Sequence, residues 1–189
     1  TAPAIPSGWV KTDNWGTYIF TIPSNDTVLY GDVSHMPYLS SAASTIETQT
    51  FNLSPSVGAE ISFETGCDTE YNLWDDYMVL EVASDGNTYE EIFRWNELYI
   101  DMNDGDTNNA NDAVWYFSIE IPSKFLTTNF QIRYHWITDS DSDTGTDGDG
   151  CWINDLHLSD YEENYSYAYY NGTSMATPHV AGAASLLFS

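Results

Sequence analysis

Ser174 is the side chain that the sequence best places to act as a nucleophile. It stands in the run Asn171-Gly172-Thr173-Ser174-Met175-Ala176-Thr177-Pro178-His179-Val180-Ala181-Gly182. Gly172 permits a tight turn, and Ser174 then falls at a helix start. Pro178 is tolerated there because the first amides of a helix have no intrahelical partner. A hydroxyl at that place lies beside free N–H donors and the positive end of the helix dipole, which stabilise an oxyanion forming next to it. By residue type alone, a serine at a helix start is usually just an N-cap.

A second group offers hard oxygen ligands. Asp139, Asp141, Asp143, Asp147 and Asp149 place alternate carboxylates in one run, as a calcium site requires. The spacing is not that of an EF-hand, because Gly145 falls at the seventh place and no Glu closes the run. The residues fit a calcium loop and a merely solvated acidic loop equally. Two cysteines remain, Cys67 and Cys151. Cys67 follows one expected strand and Cys151 opens another, so both belong at one end of a sandwich. Either they pair, with a model-dependent stabilisation of ~4–5 kcal/mol for so long a loop, or they are separate thiols in a reduced protein. Pairing requires an oxidising compartment.

These groups must be positioned by strands. β-formers with alternating polarity recur at 18–22, 50–53, 59–64, 77–83, 89–95, 114–121, 130–137 and 151–158. Ser84-Asp85-Gly86-Asn87 reads as the turn of a hairpin between two of them. Short strands at this spacing point to a two-sheet sandwich and away from a parallel α/β sheet. Trp74, Trp95, Trp115 and Trp136 sit within this pattern, and alternation favours core packing over sugar stacking for them. From residue 171 the character changes to a small-residue helix, Ser174 to about Leu187. Its side chains leave almost no polar face, so it is built for burial all round. Alone, it would dock on the sandwich or pair with another chain, giving self-association.

The chain has 189 residues, with 29 Asp and Glu against 4 Lys and Arg, a formal net charge of −25. No basic stripe exists to displace counterions, so nucleic acid is excluded as a partner. With 42% hydrophobic and 15% aromatic residues the chain is not a disordered acidic tail. No run of ~18 apolar residues is present, so no membrane span is expected. Nor is a signal peptide visible at the start. The abrupt beginning and end suggest a piece of a longer polypeptide. Self-repulsion among the carboxylates must be relieved by salt or bound cations, as in a salty or calcium-bearing extracellular medium.

The string GTSMATPHVAG resembles the nucleophile motif of the subtilisin-like serine peptidases, the subtilases. The resemblance implies that Ser174 is the attacking residue, its backbone N–H one oxyanion donor, and protein or peptide the substrate. It makes His179 a structural helix residue and not the catalytic base. The family's His-Gly-Thr stretch has no counterpart, since His35, His135 and His157 precede Met, Trp and Leu. Asp143-Thr144-Gly145 spells the family's Asp motif without the apolar strand that should precede it. A serine lacking its base is a weak nucleophile.

Several earlier pieces are similar to the MAM-related jelly-roll accessory domains of secreted bacterial peptidases. They are Ile5-Pro6-Ser7-Gly8-Trp9, Thr50-Phe51-Asn52-Leu53-Ser54, the stretch from Asp76 to Gly86, residues 130–134 and Gly150-Cys151-Trp152-Ile153-Asn154-Asp155-Leu156. That resemblance adds Asp76 and Asp155 as secondary metal candidates. Where it favours two consecutive acids in the last strand, this chain has Asn154-Asp155.

The expected fold is therefore all-β, a jelly-roll β-sandwich over residues 1–160. A segment over 161–189 would follow, whose short α-helix belongs to a subtilase α/β domain. The expected function is a fragment of a secreted, extracellular serine endopeptidase, inactive alone. The alternative is a free-standing jelly-roll module for calcium, protein or carbohydrate with a vestigial serine motif.

Overall fold

The structure, a computed structural model, describes residues 5–12, 15–19, 27–31, 41, 43–69, 76–96, 114–139 and 150–162. These hold ten strands: β1 (Val10–Lys11), β2 (Gly16–Ile19), β3 (Thr27–Tyr30), β4 (Ala43–Glu47), β5 (Ser56–Asp68), β6 (Tyr77–Ala83), β7 (Tyr89–Trp95), β8 (Trp115–Glu120), β9 (Gln131–Ile137) and β10 (Gly150–Glu162). A 3-10 turn at Ser123–Phe125 lies between β8 and β9. Ser174, the expected helix after it and any self-association through that helix fall outside the described residues.

One sheet runs β1-β4-β9-β6-β7 and the other β2-β3-β10-β5-β8, antiparallel throughout. From β3 to β6, and again from β7 to β10, successive strands alternate between the sheets. That places β3-β10-β5-β8 opposite β4-β9-β6-β7, the strand order of a jelly roll. β2 extends one sheet as a hairpin on β3, and β1 lengthens the edge of the other.

The pattern of side chains explains the layers. In β8, Trp115, Phe117 and Ile119 turn toward the core while Tyr116, Ser118 and Glu120 are exposed, the period of two that a strand imposes. In β6 both faces are largely buried, because β9 and β7 flank it on either side. The hairpin from β6 to β7 closes as its residues predict. Asp85 Oδ1 accepts the N–H groups of Asn87 and Thr88 at 2.8 and 2.7 Å, and Gly86 takes a φ of 73°.

Phe63 of β5 is a centre of the core. Its ring lies 5.2 Å from Trp95, 5.5 Å from Tyr134 and 5.7 Å from Phe117, joining the two sheets. The indole N–H of Trp95 donates to Thr65 Oγ1 at 2.9 Å, and that hydroxyl donates to the carbonyl of Trp152 at 2.6 Å. A polar group of the core is thus satisfied across the sheets. Trp95 and Trp136 are fully buried and Trp115 packs against the core, whereas Trp74 is outside the described residues.

The strand expected at 50–53 is not one. Only a single bridge, Phe51 to Phe130, remains. Asn52 instead caps a local turn, its Oδ1 accepting from the N–H and hydroxyl of Ser54 at 3.1 and 2.8 Å, and Pro55 follows. β1, β3 and β4 were not marked by composition; their neighbours in the sheets define them.

Pairing fixes the two poles of the sandwich. At one pole β1 begins, with Val10 opposite Glu47, and β10 ends, with Glu162 opposite Ser56. Gly8 packs on Gln49, so both ends flank the connection 48–55. At the other pole lie the end of β5 and the start of β10, joined by the Cys67–Cys151 disulfide between directly opposed residues. Replacing Phe63 by Ala removes the ring that joins the layers. It should cost ~3–5 kcal/mol, the range for a fully buried Phe, read as a lower urea midpoint at unchanged slope.

Candidate functional site

The disulfide pole gathers part of the expected acidic group. Asp76, at the start of β6, is 2% exposed, and its Oδ1 accepts the backbone N–H of Asp139 at 2.7 Å. The carbonyl of Asp139 in turn accepts from the N–H of Ser41. A buried carboxylate must be met by such donors. The connections 69–76, 96–114 and 138–149 all leave this pole, because β5, β7 and β9 end there. Residues 68–76, 97–113 and 139–149 carry four, five and five of the 29 carboxylates, and no Lys or Arg.

Asp155 is not part of that group. It lies exposed in β10, where the register slips between Asn154 and His157, with a φ of 45°. Asp141, Asp143, Asp147 and Asp149 lie outside the described residues. Among the described residues, no three His, Cys, Asp or Glu side chains come together as a metal set would.

The outer face of the first sheet holds a charged network that the sequence reading missed. Arg133 of β9 bonds Glu81 of β6 at 2.5 Å and lies 3.6 Å from Glu47 of β4. His135 Nδ1 is 3.5 Å from the same Glu81 oxygen. The Arg133 guanidinium also sits 3.8 Å above the ring of Tyr89, and that of Arg94 sits 4.4 Å above Tyr77. Arg94 pairs with Glu91 and Lys124 with Glu90, both at 2.5 Å, and Lys11 bonds the carbonyl of Trp15. All four Lys and Arg of the chain therefore serve this sheet or its edge. Their scarcity was the available signal, since each cation must choose among many carboxylates.

The network sets two titrations. Burial by itself would push the Glu81 carboxyl up, but hydrogen bonds from His135 and Arg133, with their charges, outweigh it and hold the carboxyl below its ordinary value. Burial first, and then the charge of Glu47, push the Tyr89 phenol up to about 12.

Similarity to a known protein family covers one end of the chain only. The Subtilase family model matches residues 147–189. That span begins three residues before β10, takes in this strand, which is paired on both sides in the sandwich, and runs on through Ser174. No curated protein matches. Among solved structures, the chain is similar to TmCBM61 in complex with β-1,4-galactotriose, at 11% identity over 82% of this chain and 89% of that one, with a TM-score of 0.45. It is similar also to the K1 cleaved adhesin domain of Lys-gingipain from Porphyromonas gingivalis W83, at 12% identity, 84% and 91% coverage and a TM-score of 0.45. A third is the CBM22-1–GH10 portion of Clostridium thermocellum endo-1,4-β-D-xylanase 10B with xylohexaose, at 11% identity, 86% and 28% coverage and a TM-score of 0.47. At such identities and scores, the jelly-roll order rests on the chain's own strand pairing. No helix among the described residues is long and apolar enough to cross a membrane.

The depressed Glu81 carboxyl contributes stability that is present above the ordinary carboxylate pKa and lost as pH falls through its folded value. Glu81→Gln should therefore destabilise the sandwich at neutral pH and flatten the acid limb of its stability curve below about pH 4.5. Denaturant midpoints measured from pH 3 to 7 on both forms check this; parallel curves would contradict it.

Proposed function

We propose that the chain is part of a secreted subtilisin-like serine endopeptidase, an accessory jelly roll joined to the segment that carries the nucleophile. The observation that carries this reading is the Subtilase match over residues 147–189, which contains Gly172-Thr173-Ser174-Met175. Ser174 would attack the scissile carbonyl of a protein or peptide, and a histidine outside this chain's motif would take the hydroxyl proton. The backbone N–H of Ser174 would hold the oxyanion.

Two features of the sandwich support its place as an insertion. The strand that opens it and the strand that ends it flank the same connection at one pole, the arrangement that lets a domain interrupt a host without pulling it apart. Glu162 and Ser174 are twelve residues apart, so the sandwich would lie within about 40 Å of the nucleophile even with the chain extended. The Cys67–Cys151 bridge fits an extracellular setting.

We also infer that calcium is held at the disulfide pole. The Asp76 carboxylate accepts the Asp139 backbone N–H there. The sequence that follows β5, β7 and β9 is rich in carboxylates and holds no Lys or Arg before the next strand, a composition that suits a hard cation. Calcium that binds only the folded state raises its stability with concentration. Thermal melting with calcium, against chelator at matched ionic strength, should show a higher midpoint; an unchanged midpoint would overturn the site.

The purified chain should not label with a fluorescent organophosphonate, because it has no His-Gly pair to supply the base. Labelling at Ser174 should appear once a polypeptide bearing the Asp and His-Gly-Thr motifs is supplied. Flanking coding sequence without those motifs would overturn the peptidase reading.

A further inference from the structure

The two outer faces of the sandwich differ in what covers their aromatic rings. On the first sheet, Tyr77 and Tyr89 are capped by Arg94 and Arg133. On the second sheet no strand contains a Lys or Arg. Tyr116 of β8 is 61% exposed and Tyr161 of β10 is 53% exposed. Singly, exposed rings are ordinary; two on one face without a cation offer apolar platforms to a ligand.

The register places them at the ends of one strip. Tyr116 stands opposite Glu64, which stands opposite Asn154. The next row is Ser118, Ser62 and His157, and the next is Glu120, Glu60 and Ser159. Tyr161 closes the strip opposite Gly58. From the level of Glu64 to that of Gly58 is six residues of β5, or about 20 Å at ~3.3 Å per residue. A Cβ at Gly58 would lie 3.4 Å from Tyr161 Cδ2. With no side chain at Gly58, the Tyr161 ring leans over β5. Trp152, likewise, lies against Gly66, where a Cβ would come within 2.7 Å of its ring. Such glycines let a ring settle on the sheet and offer a flat platform. The bulge in β10 sits beside this strip, with Asp155 exposed in the left-handed region, and bulges re-aim side chains next to binding sites.

We infer that this face binds a neutral oligosaccharide chain lying along the strip from Tyr116 to Tyr161. The rings provide apolar platforms for the C–H faces of the sugars. Between them the hydroxyls of Ser118 and Ser159, the amide of Asn154 and the carboxylates of Glu60 and Glu64 accept and donate hydrogen bonds in the spacing of a two-residue repeat. The absence of Lys and Arg from these strands selects against sulfated or uronic chains, which the carboxylates repel. A basic peptide is the competing occupant. It would be drawn by charge alone, whereas the strip's neutral donors and acceptors on either side of the carboxylates have no use for it. This inference stands apart from the peptidase reading, since the strip belongs to the sandwich whatever Ser174 does.

The test is affinity electrophoresis and calorimetry of the whole chain against soluble xylan, galactan and mixed-linkage β-glucan, with polygalacturonate and polylysine as the charged probes. At least one neutral polymer should bind, with an affinity unchanged between 50 mM and 500 mM NaCl. Tyr116→Ala and Tyr161→Ala should each weaken it ~tenfold or more, the effect of truncating an aromatic anchor, with the melting midpoint preserved. Tyr89→Phe, on the opposite sheet, should leave binding unchanged. Failure to bind any of the three neutral polymers would overturn the inference. So would binding indifferent to both ring deletions, or binding to polylysine alone that salt abolishes.

Discussion

The pairing of β10 with β5 is the constraint on which the rest of the molecule hangs. Both strands are thirteen residues long, and they remain paired from Gly150 opposite Asp68 to Glu162 opposite Ser56. β5 also carries Phe63 and Thr65 into the core, so the strand that seats β10 is the one that joins the sheets. The two ends of the pair are pinned by unlike means. The disulfide closes a separation of 84 residues at one pole, and the hydroxyl of Ser56 donates to Asp160 at 2.6 Å at the other. β10 is the last strand among the described residues and lies inside the Subtilase match.

Charge is divided along the same framework. Four cations serve one sheet and its edge, each tied to a carboxylate or carbonyl. Exposed pairs such as Arg94–Glu91 contribute little by themselves. The half-buried Arg133 group differs, since Glu81, Glu47 and Tyr89 all converge on one guanidinium. Spending the cations there leaves the second sheet and the disulfide pole without any. Among the described residues, positive charge is thus confined to one sheet and its edge.

The Asp155 bulge shows how a local irregularity acquires meaning only from its surroundings. An Asp with positive φ is tolerable because its short polar side chain tolerates the left-handed region. In sequence it looked like a companion of Asp76. In the fold it sits in the other sheet, along the strip that Tyr116 and Tyr161 bound. Its neighbours across the ladder, and not its residue type, decide which group it joins.

From the sequence alone came the all-β class, the positions but not the lengths of the central strands, the hairpin at Ser84–Asn87 and the serine motif, because each is written in contiguous residues: alternation, turn chemistry or an uninterrupted string. β6 and β7 are legible at their bounds for this reason. What tertiary structure decided is everything that depends on partners distant in the chain. β3 and β4 are strands because β10 and β9 offer them an edge. Thr50 to Leu53, which alternates well, is not one, because Asn52 turns the backbone on itself before a ladder can form. The Arg133 network draws on three strands spread over more than 80 residues, and the strip from Tyr116 to Tyr161 exists only once β8, β5 and β10 lie side by side. Spacing along a chain records local backbone preference; which side chains share a face is set by sheet register, and register is a property of the packed whole.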